Sequence, residues 1–199
     1  SKVKRFSDLL KGYDIEFITL RDIEVIEEPK EMGNTPEENA IMKAELYGQY
    51  FDVVICNDSG LYFEELDFED LRQPGLNIRT PMNMDRLSDE EMIDYYSKLI
   101  AGLGGKVTAY YLDGIAVYNH GVISSFMDNM AAQKNGLFYM IDKASSKRFE
   151  GWPLDSLSIN KENGKYFVDG SIEESKENII KDQYQKSVVD FLIKSLHIA

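Results

Sequence analysis

The sequence predicts an α/β fold with a mixed sheet, because short apolar runs alternate along the chain with segments of helical period. Paired strand-like segments around turn residues add hairpins to that alternation, and two helix starts carry N-cap signals. Residues 2–10 read as a helix stopped by Gly12, and residues 16–20 as a short strand. Thr35 is a good N-cap, with Pro36 at the first helical position and Glu38 at the third, the form of a capping box whose glutamate reaches back to the Thr35 amide. Ile41, Ala44, Tyr47 and Phe51 then fall on one face. Residues 53–56 are a continuous apolar run, as in a central strand buried on both faces. Residues 57–60 read as a turn, followed by a more exposed strand over 61–66.

Residues 72–81, with Pro74-Gly75, read as a loop. Ser88 opens a second capped helix that turns Met92, Ile93, Tyr96, Leu99, Ile100 and Leu103 inward and ends at Gly104-Gly105. Residues 107–112 and 115–118 form a predicted hairpin around Asp113-Gly114. A strand follows at 136–141, and strands at 157–159 and 166–168 flank a turn. Ser171 and Glu174 cap a short helix, and residues 187–196 form the last one, burying Val188, Val189, Leu192, Ile193 and Leu196. There are no repeats or linkers, so residues 1–199 are expected to be one domain.

Composition narrows the function. With 43% apolar residues, the chain is not a disordered one. It has no apolar run near the roughly 18 residues that span a bilayer, and residues 1–11 are too charged for a signal peptide. The single cysteine, Cys56, cannot form an internal disulfide and reads as a small core residue at a strand end rather than a nucleophile. A cytoplasmic protein without a membrane partner is expected. A net charge of −13 argues against nucleic acid as a partner, although a nucleotide held by a metal and a few local cations remains compatible. One cysteine and two distant histidines, His120 and His197, cannot assemble a zinc cluster, so an oxygen-ligated Mg²⁺ is the metal this composition suits.

Two segments carry the chemistry: Thr35-Pro36-Glu37-Glu38-Asn39-Ala40-Ile41-Met42-Lys43-Ala44, and Val53-Val54-Ile55-Cys56-Asn57-Asp58-Ser59-Gly60-Leu61. Acidic groups at a helix start and at a strand end suit a divalent cation and a polyphosphate. Each residue also has a plain reading: Glu38 as a helix cap, residues 57–60 as a tight turn, Lys43 as an exposed helical lysine.

Together the two segments resemble the inosine triphosphate pyrophosphatase family, which hydrolyses modified purine nucleoside triphosphates. The resemblance implies an elongated, two-lobed α/β fold with a cleft between the lobes, a homodimer, and magnesium-dependent release of pyrophosphate. Glu38-Asn39-Ala40-Ile41-Met42-Lys43-Ala44 is similar to the family's metal-binding Glu-Asn-Ala-x-x-Lys-Ala at every fixed position. Asn57-Asp58-Ser59-Gly60-Leu61 resembles Asp-Asp-Ser-Gly-Leu, which implies Asp58 as general base and metal ligand, Asn57 as a neutral metal ligand and Ser59 as a phosphate contact. Lys2 falls on the lysine of a Gly-Asn-x-x-Lys phosphate loop, whose strand and glycine would precede Ser1. Lys43 and Lys147, the latter in a cluster with Lys143 and Arg148, are further phosphate candidates.

Gly151-Trp152-Pro153-Leu154-Asp155-Ser156 falls where the family reads Gly-Phe-Gly-Tyr-Asp-Pro, placing Trp152 and Asp155 at the base. The family's Ser-His-Arg would fall near Gln183-Tyr184-Gln185, where neither His nor Arg is present. The expectation is a nucleoside triphosphate pyrophosphatase. The alternatives are a nucleotide-binding module without turnover, favoured by Asn57 and the missing His-Arg pair, and a pyrophosphatase for another phosphorylated substrate.

Overall fold

Helix and strand faces in this chain are built by side chains that alternate between two sets of partners. A computed structural model describes residues 2–20, 22, 27, 29–127, 136–170 and 183–198, with the backbone alone for Lys2, Gln183 and Tyr184. Four α-helices are described: α1 (Lys2–Leu9), α2 (Pro36–Tyr47), α3 (Asp89–Gly102) and α4 (Gln183–Leu196). The strands are β1 (Val53–Phe63), β2 (Lys106–Asn119), β3 (Val122–Met127), β4 (Phe138–Ile141) and β5 (Ser158–Ile159). They form one sheet in the order β1-β2-β4-β5, with β3 also pairing to β2. The β2–β3, β2–β4 and β4–β5 ladders are antiparallel.

The chain divides into two compact units, the first made of Ser1–Asp58, Asp113–Asp128 and Ile180–Ala199, the second of Ser59–Leu112 and Asn129–Ile179. In the first unit, Ile115 and Val117 pack with Phe6, Leu10, Val188 and Leu192, so α1 and α4 share one face of the strands. Cys56 and Ala116 pack instead with Ala40, Ala44 and Tyr47 of α2. Small residues on both sides bring α2 close. A Cβ on Gly114 would lie 2.2 Å from the Glu37 amide nitrogen and the Pro36 carbonyl carbon, so only glycine fits beneath the start of α2. In the second unit, Leu61, Phe63, Val107, Ala109, Phe138 and Met140 form a core with Met92, Ile93, Tyr96 and Ile100 of α3. Tyr62, Tyr110 and Leu112 make a separate cluster.

Several expectations change. Residues 57–60 are not a turn: they lie inside β1, which runs unbroken to Phe63 and takes in the start of the separate strand expected at 61–66. β1 also stands at the end of the strand order rather than at its centre. Asp113-Gly114 does not turn either, since β2 is one strand of 14 residues and Gly114 answers to the approach of α2. The hairpin lies further on, where β2 returns as β3 through His120 and Gly121 with φ of 45° and 90°, the two left-handed residues of a type I′ turn. Residues 16–20 form no strand, although Phe17 packs on the α1–α4 cluster.

The helices at 2–9 and 89–102 match their sequence signals. Ser88 and Glu91 complete a reciprocal capping box, and Gly104 and Gly105, with φ of 101° and 86°, end α3. The helix expected at Ser171–Glu174 lies outside the described residues. No described helix is long and apolar enough to cross a membrane.

Candidate functional site

The start of α2 is closed by its own flanking backbone. Thr35 caps the helix in an extended conformation, its hydroxyl accepting from the Glu38 amide at 3.2 Å, and Pro36 fills the first turn. The Glu38 carboxylate does not return to the Thr35 amide, as a standard capping box requires. It accepts instead from the Asn34 amide at 2.7 Å, while the Gly33 amide donates to Asn39 Oδ1 at 2.8 Å. The cause is the close passage of residues 33–34 over the first turn. A Cβ on Gly33 would lie 2.7 Å from both Asn39 Oδ1 and Glu38 Cβ.

One helical turn separates Asn39 from Lys43, so both project from the same side of α2. Both reach Asp58 on β1. Asn39 Nδ2 donates to Oδ2 at 2.9 Å and Lys43 Nζ to Oδ1 at 3.0 Å. Lys43 also pairs with Glu31 at 2.9 Å. Burial pulls its ammonium pKa down, but the Glu31 and Asp58 carboxylates more than offset that, leaving it above the ordinary lysine value. Asn39 is only 2% exposed, and both ends of its amide are bonded, one to Gly33 and one to Asp58. Sequence reasoning gave Asn39 and Glu31 no role. For Asn39 the available signal was its fixed place between Glu38 and Ala40; Glu31 had none.

Asn57 is buried, and its Nδ2 donates to the Asp58 carbonyl and, across to β2, to the Gly114 carbonyl, both at 3.0 Å. The amide group thus ties two strands together, and its ligating atom toward a cation would be Oδ1. Among the described residues, no three His, Cys, Asp or Glu side chains form a metal cluster. The donor chemistry nevertheless suits magnesium, which is held by one or two carboxylates and completes its shell with water and phosphate oxygens. Glu38 and Asp58 are carboxylates of one unit. A cavity of about 410 Å³ in the same unit has Glu31, Lys43, Tyr47, Cys56 and Asn57 in its wall.

Of the remaining expected residues, Ser59, Lys147, Trp152 and Asp155 belong to the second unit. Ser59 is partly buried on β1. Lys147 pairs with Asp169 at 2.6 Å and Arg148 with Glu90 at 2.8 Å, so each of these cations already has an acidic partner; Lys143 is exposed. Trp152 is 61% exposed and leads into a 3-10 turn at Pro153–Ser156. Burial pushes the Asp155 carboxyl up to about 6. The Lys2 side chain lies outside the described residues, as do those of Gln183 and Tyr184; Gln185 Oε1 is buried without a hydrogen-bond partner among the described residues.

The structure resembles the Ham1 protein of Coxiella burnetii with a TM-score of 0.70 at 17% identity, over 97% of this chain and 93% of that one. It resembles the Staphylococcus aureus Ham1 protein with a TM-score of 0.65 at 22% identity, over 94% and 92% of the two chains. These likenesses establish the α/β fold. In sequence, the dITP/XTP pyrophosphatase of Bacillus anthracis is 45% identical over 67 residues, 33% of each chain. That of Thermoanaerobacter pseudethanolicus is 37% identical over 76 residues, 38% of this chain and 36% of the relative. The chain thus spans about a third of the length of these curated relatives. A model of the Ham1 family matches residues 1–132, well over half of the sequence, and the chain belongs to the Ham1 family.

Proposed function

We propose that this protein hydrolyses nucleoside triphosphates, with modified purines such as inosine or xanthosine triphosphate as substrates, to the monophosphate and pyrophosphate. The observation that carries the reading is the convergence of Asn39 and Lys43 of α2 on Asp58 of β1, with Glu38 next to Asn39 in the first turn of the same helix. That arrangement supplies a carboxylate base, a cation paired with it and a second carboxylate in a single unit. The names of the matched relatives support the same substrate class.

Asn39 holds one oxygen of Asp58 and so fixes the direction of the carboxylate. Lys43, on exchanging Asp58 for a phosphate oxygen, exposes Oδ1 to accept a proton from water. The water oxygen attacks the α-phosphorus, the bond from that phosphorus to the bridging oxygen breaks, and pyrophosphate leaves with its charge met by the Lys43 ammonium. Magnesium, held by Glu38 and Asp58 with Asn57 Oδ1 as a neutral third donor, would act as a Lewis acid on the phosphate oxygens when bound. Ser59 and Lys2 are assigned to phosphate, Trp152 and Asp155 to the base. Lys147 joins the phosphate contacts only by leaving Asp169.

The test is pyrophosphate release from a panel of nucleoside triphosphates with magnesium. Turnover led by inosine or xanthosine triphosphate is expected, and Glu38→Gln should remove most of it while keeping the bond from Asn34. A second reading, nucleotide binding without turnover, draws on the neutral Asn57 at the strand end. It replaces the first if every triphosphate binds and none is cleaved.

A further inference from the structure

The exposed Trp152 indole sits on a segment, residues 142–152, that has no helix or strand of its own. Its end next to Trp152 is held by the first turn of α3. Asp89 Oδ2 accepts from the Gly151 amide at 2.8 Å, and its Oδ1 accepts from Arg79 Nη2 at 2.8 Å. The same guanidinium nitrogen reaches the Gly151 carbonyl at 3.5 Å, so both ends of the Gly151 main chain face the Arg79–Asp89 pair. Arg79 is itself anchored, since its carbonyl accepts from the Leu87 amide at 2.8 Å and its Nη1 donates to the Leu87 carbonyl at 3.4 Å. Gly151 meets the pair with a φ of 80°, a left-handed conformation that glycine alone adopts without strain. On the far side of Trp152, Pro153, Leu154 and Ser156 are buried. The main chain at Trp152 is therefore held before and after the residue while its ring stays in solvent.

We propose that Asp89, gripped by Arg79, is a positioning residue that presents the Trp152 indole to the purine ring of the substrate. The proposal rests on the assignment of Trp152 to the base made above. The Gly151 amide, and after it the Arg79 guanidinium, hold the Asp89 carboxyl below the ordinary aspartate range, so the clamp is ionised at neutral pH. A loop fixed in advance is not ordered at the cost of binding. Loss of the clamp should weaken recognition of the base and leave the chemistry at phosphorus intact, which appears as a change in KM rather than in kcat.

Trp152 is the only tryptophan, so fluorescence anisotropy excited at the indole reads this position directly, without ligand. Asp89→Ala should lower that anisotropy and raise KM for inosine triphosphate roughly tenfold, with kcat within about twofold of the parent. Asp89→Asn keeps an acceptor for the Gly151 amide and loses the charge opposite Arg79, so it should fall between the two; it also serves if the alanine variant fails to fold. Asp94→Asn removes an equal charge from an exposed position of the same helix, paired with Lys98, and should change neither reading. Parent-like anisotropy in Asp89→Ala, or a fall in kcat at constant KM, overturns the proposal. If the parent cleaves no triphosphate, the functional reading fails separately. Quenching of Trp152 by inosine triphosphate then replaces KM, and the proposal stands only if Asp89→Ala weakens that binding by about the same factor.

Discussion

The polar cluster around Asp58 and the segment around Trp152 are held in opposite ways. At Asp58 every contact comes from regular elements: Asn39 and Lys43 stand one turn apart on α2, and the carboxylate stands on β1. At Trp152 the segment has no regular structure leading into it, and the Gly151 main chain beside the ring is held by Arg79 and by Asp89, the first residue of α3. The first region closes its polar groups on one another. The second leaves an aromatic ring in solvent and, in Asp155, a carboxyl whose pKa burial raises. The difference matches the tasks assigned to them. Chemistry at phosphorus demands groups fixed to fractions of an ångström, whereas stacking on a base needs a flat surface presented at the right place.

Asp58→Asn should break the first region most. It keeps the size and a carbonyl oxygen but removes the base, so turnover is expected to fall by at least about 10²-fold, while nucleotide binding measured by calorimetry persists. Loss of binding together with turnover would mean that Asp58 shapes the pocket rather than activating water.

Asn57→Asp comes next, and it separates charge from architecture at the same strand end. A carboxylate there would face the Asp58 and Gly114 carbonyl oxygens that the amide now donates to. Two hydrogen bonds would be replaced by repulsion in a buried place, a loss of roughly 2–3 kcal/mol in denaturant unfolding. If the variant is as stable as the parent and binds magnesium more tightly, the side chain turns toward the cation and its role in joining the strands is secondary.

These two sites also show what the sequence made legible. Asn39 and Lys43 stand four residues apart on α2, as do Ala40 and Ala44, so spacing alone predicts that each pair shares a face, and their partner strand follows closely in the chain. The turn expected at Asn57–Gly60 failed because local turn preference competes with a ladder, and the Asn57 amide itself bonds across that ladder. Gly114 looked like a hairpin residue for a comparable reason. Its glycine serves the approach of a helix 77 to 78 positions earlier, at Pro36 and Glu37, and no local pattern records that. The Trp152 clamp was invisible for the same cause: Asp89 meets Gly151 across 62 positions.

Lys43→Met sharpens the comparison by removing the cation that two carboxylates share. Asp58 and Glu31 then lose their common partner, and a destabilisation of about 1–2 kcal/mol at neutral pH is expected, discounted for the half-exposed Glu31. The Lys43 pKa is raised in the fold, so its contribution is complete below the unfolded value near 10.5 and lost as pH rises through the higher folded one. The stability gap between parent and variant should therefore shrink in strongly alkaline solution. A gap that is constant with pH would assign the effect to the buried methylenes of the lysine stem.

Asp155→Asn applies the same test to the second region, with the opposite sign at neutral pH. Burial raises the carboxyl from 3.8 to about 6, so the folded protein binds this proton more tightly than the unfolded chain does. The native state is thus favoured below pH 4, loses that advantage as pH rises through 6, and carries the penalty of a desolvated carboxylate at pH 7. Asparagine has nothing to ionise. The variant should be more stable than the parent by about 1–2 kcal/mol at pH 7, after discounting for the water that still reaches the group, and should match it near pH 4. Chemical denaturation at the two pH values decides the matter. A variant less stable at both would show that the ionised carboxylate is held by a favourable contact, and that the segment around Trp152 is as closed as the cluster at Asp58.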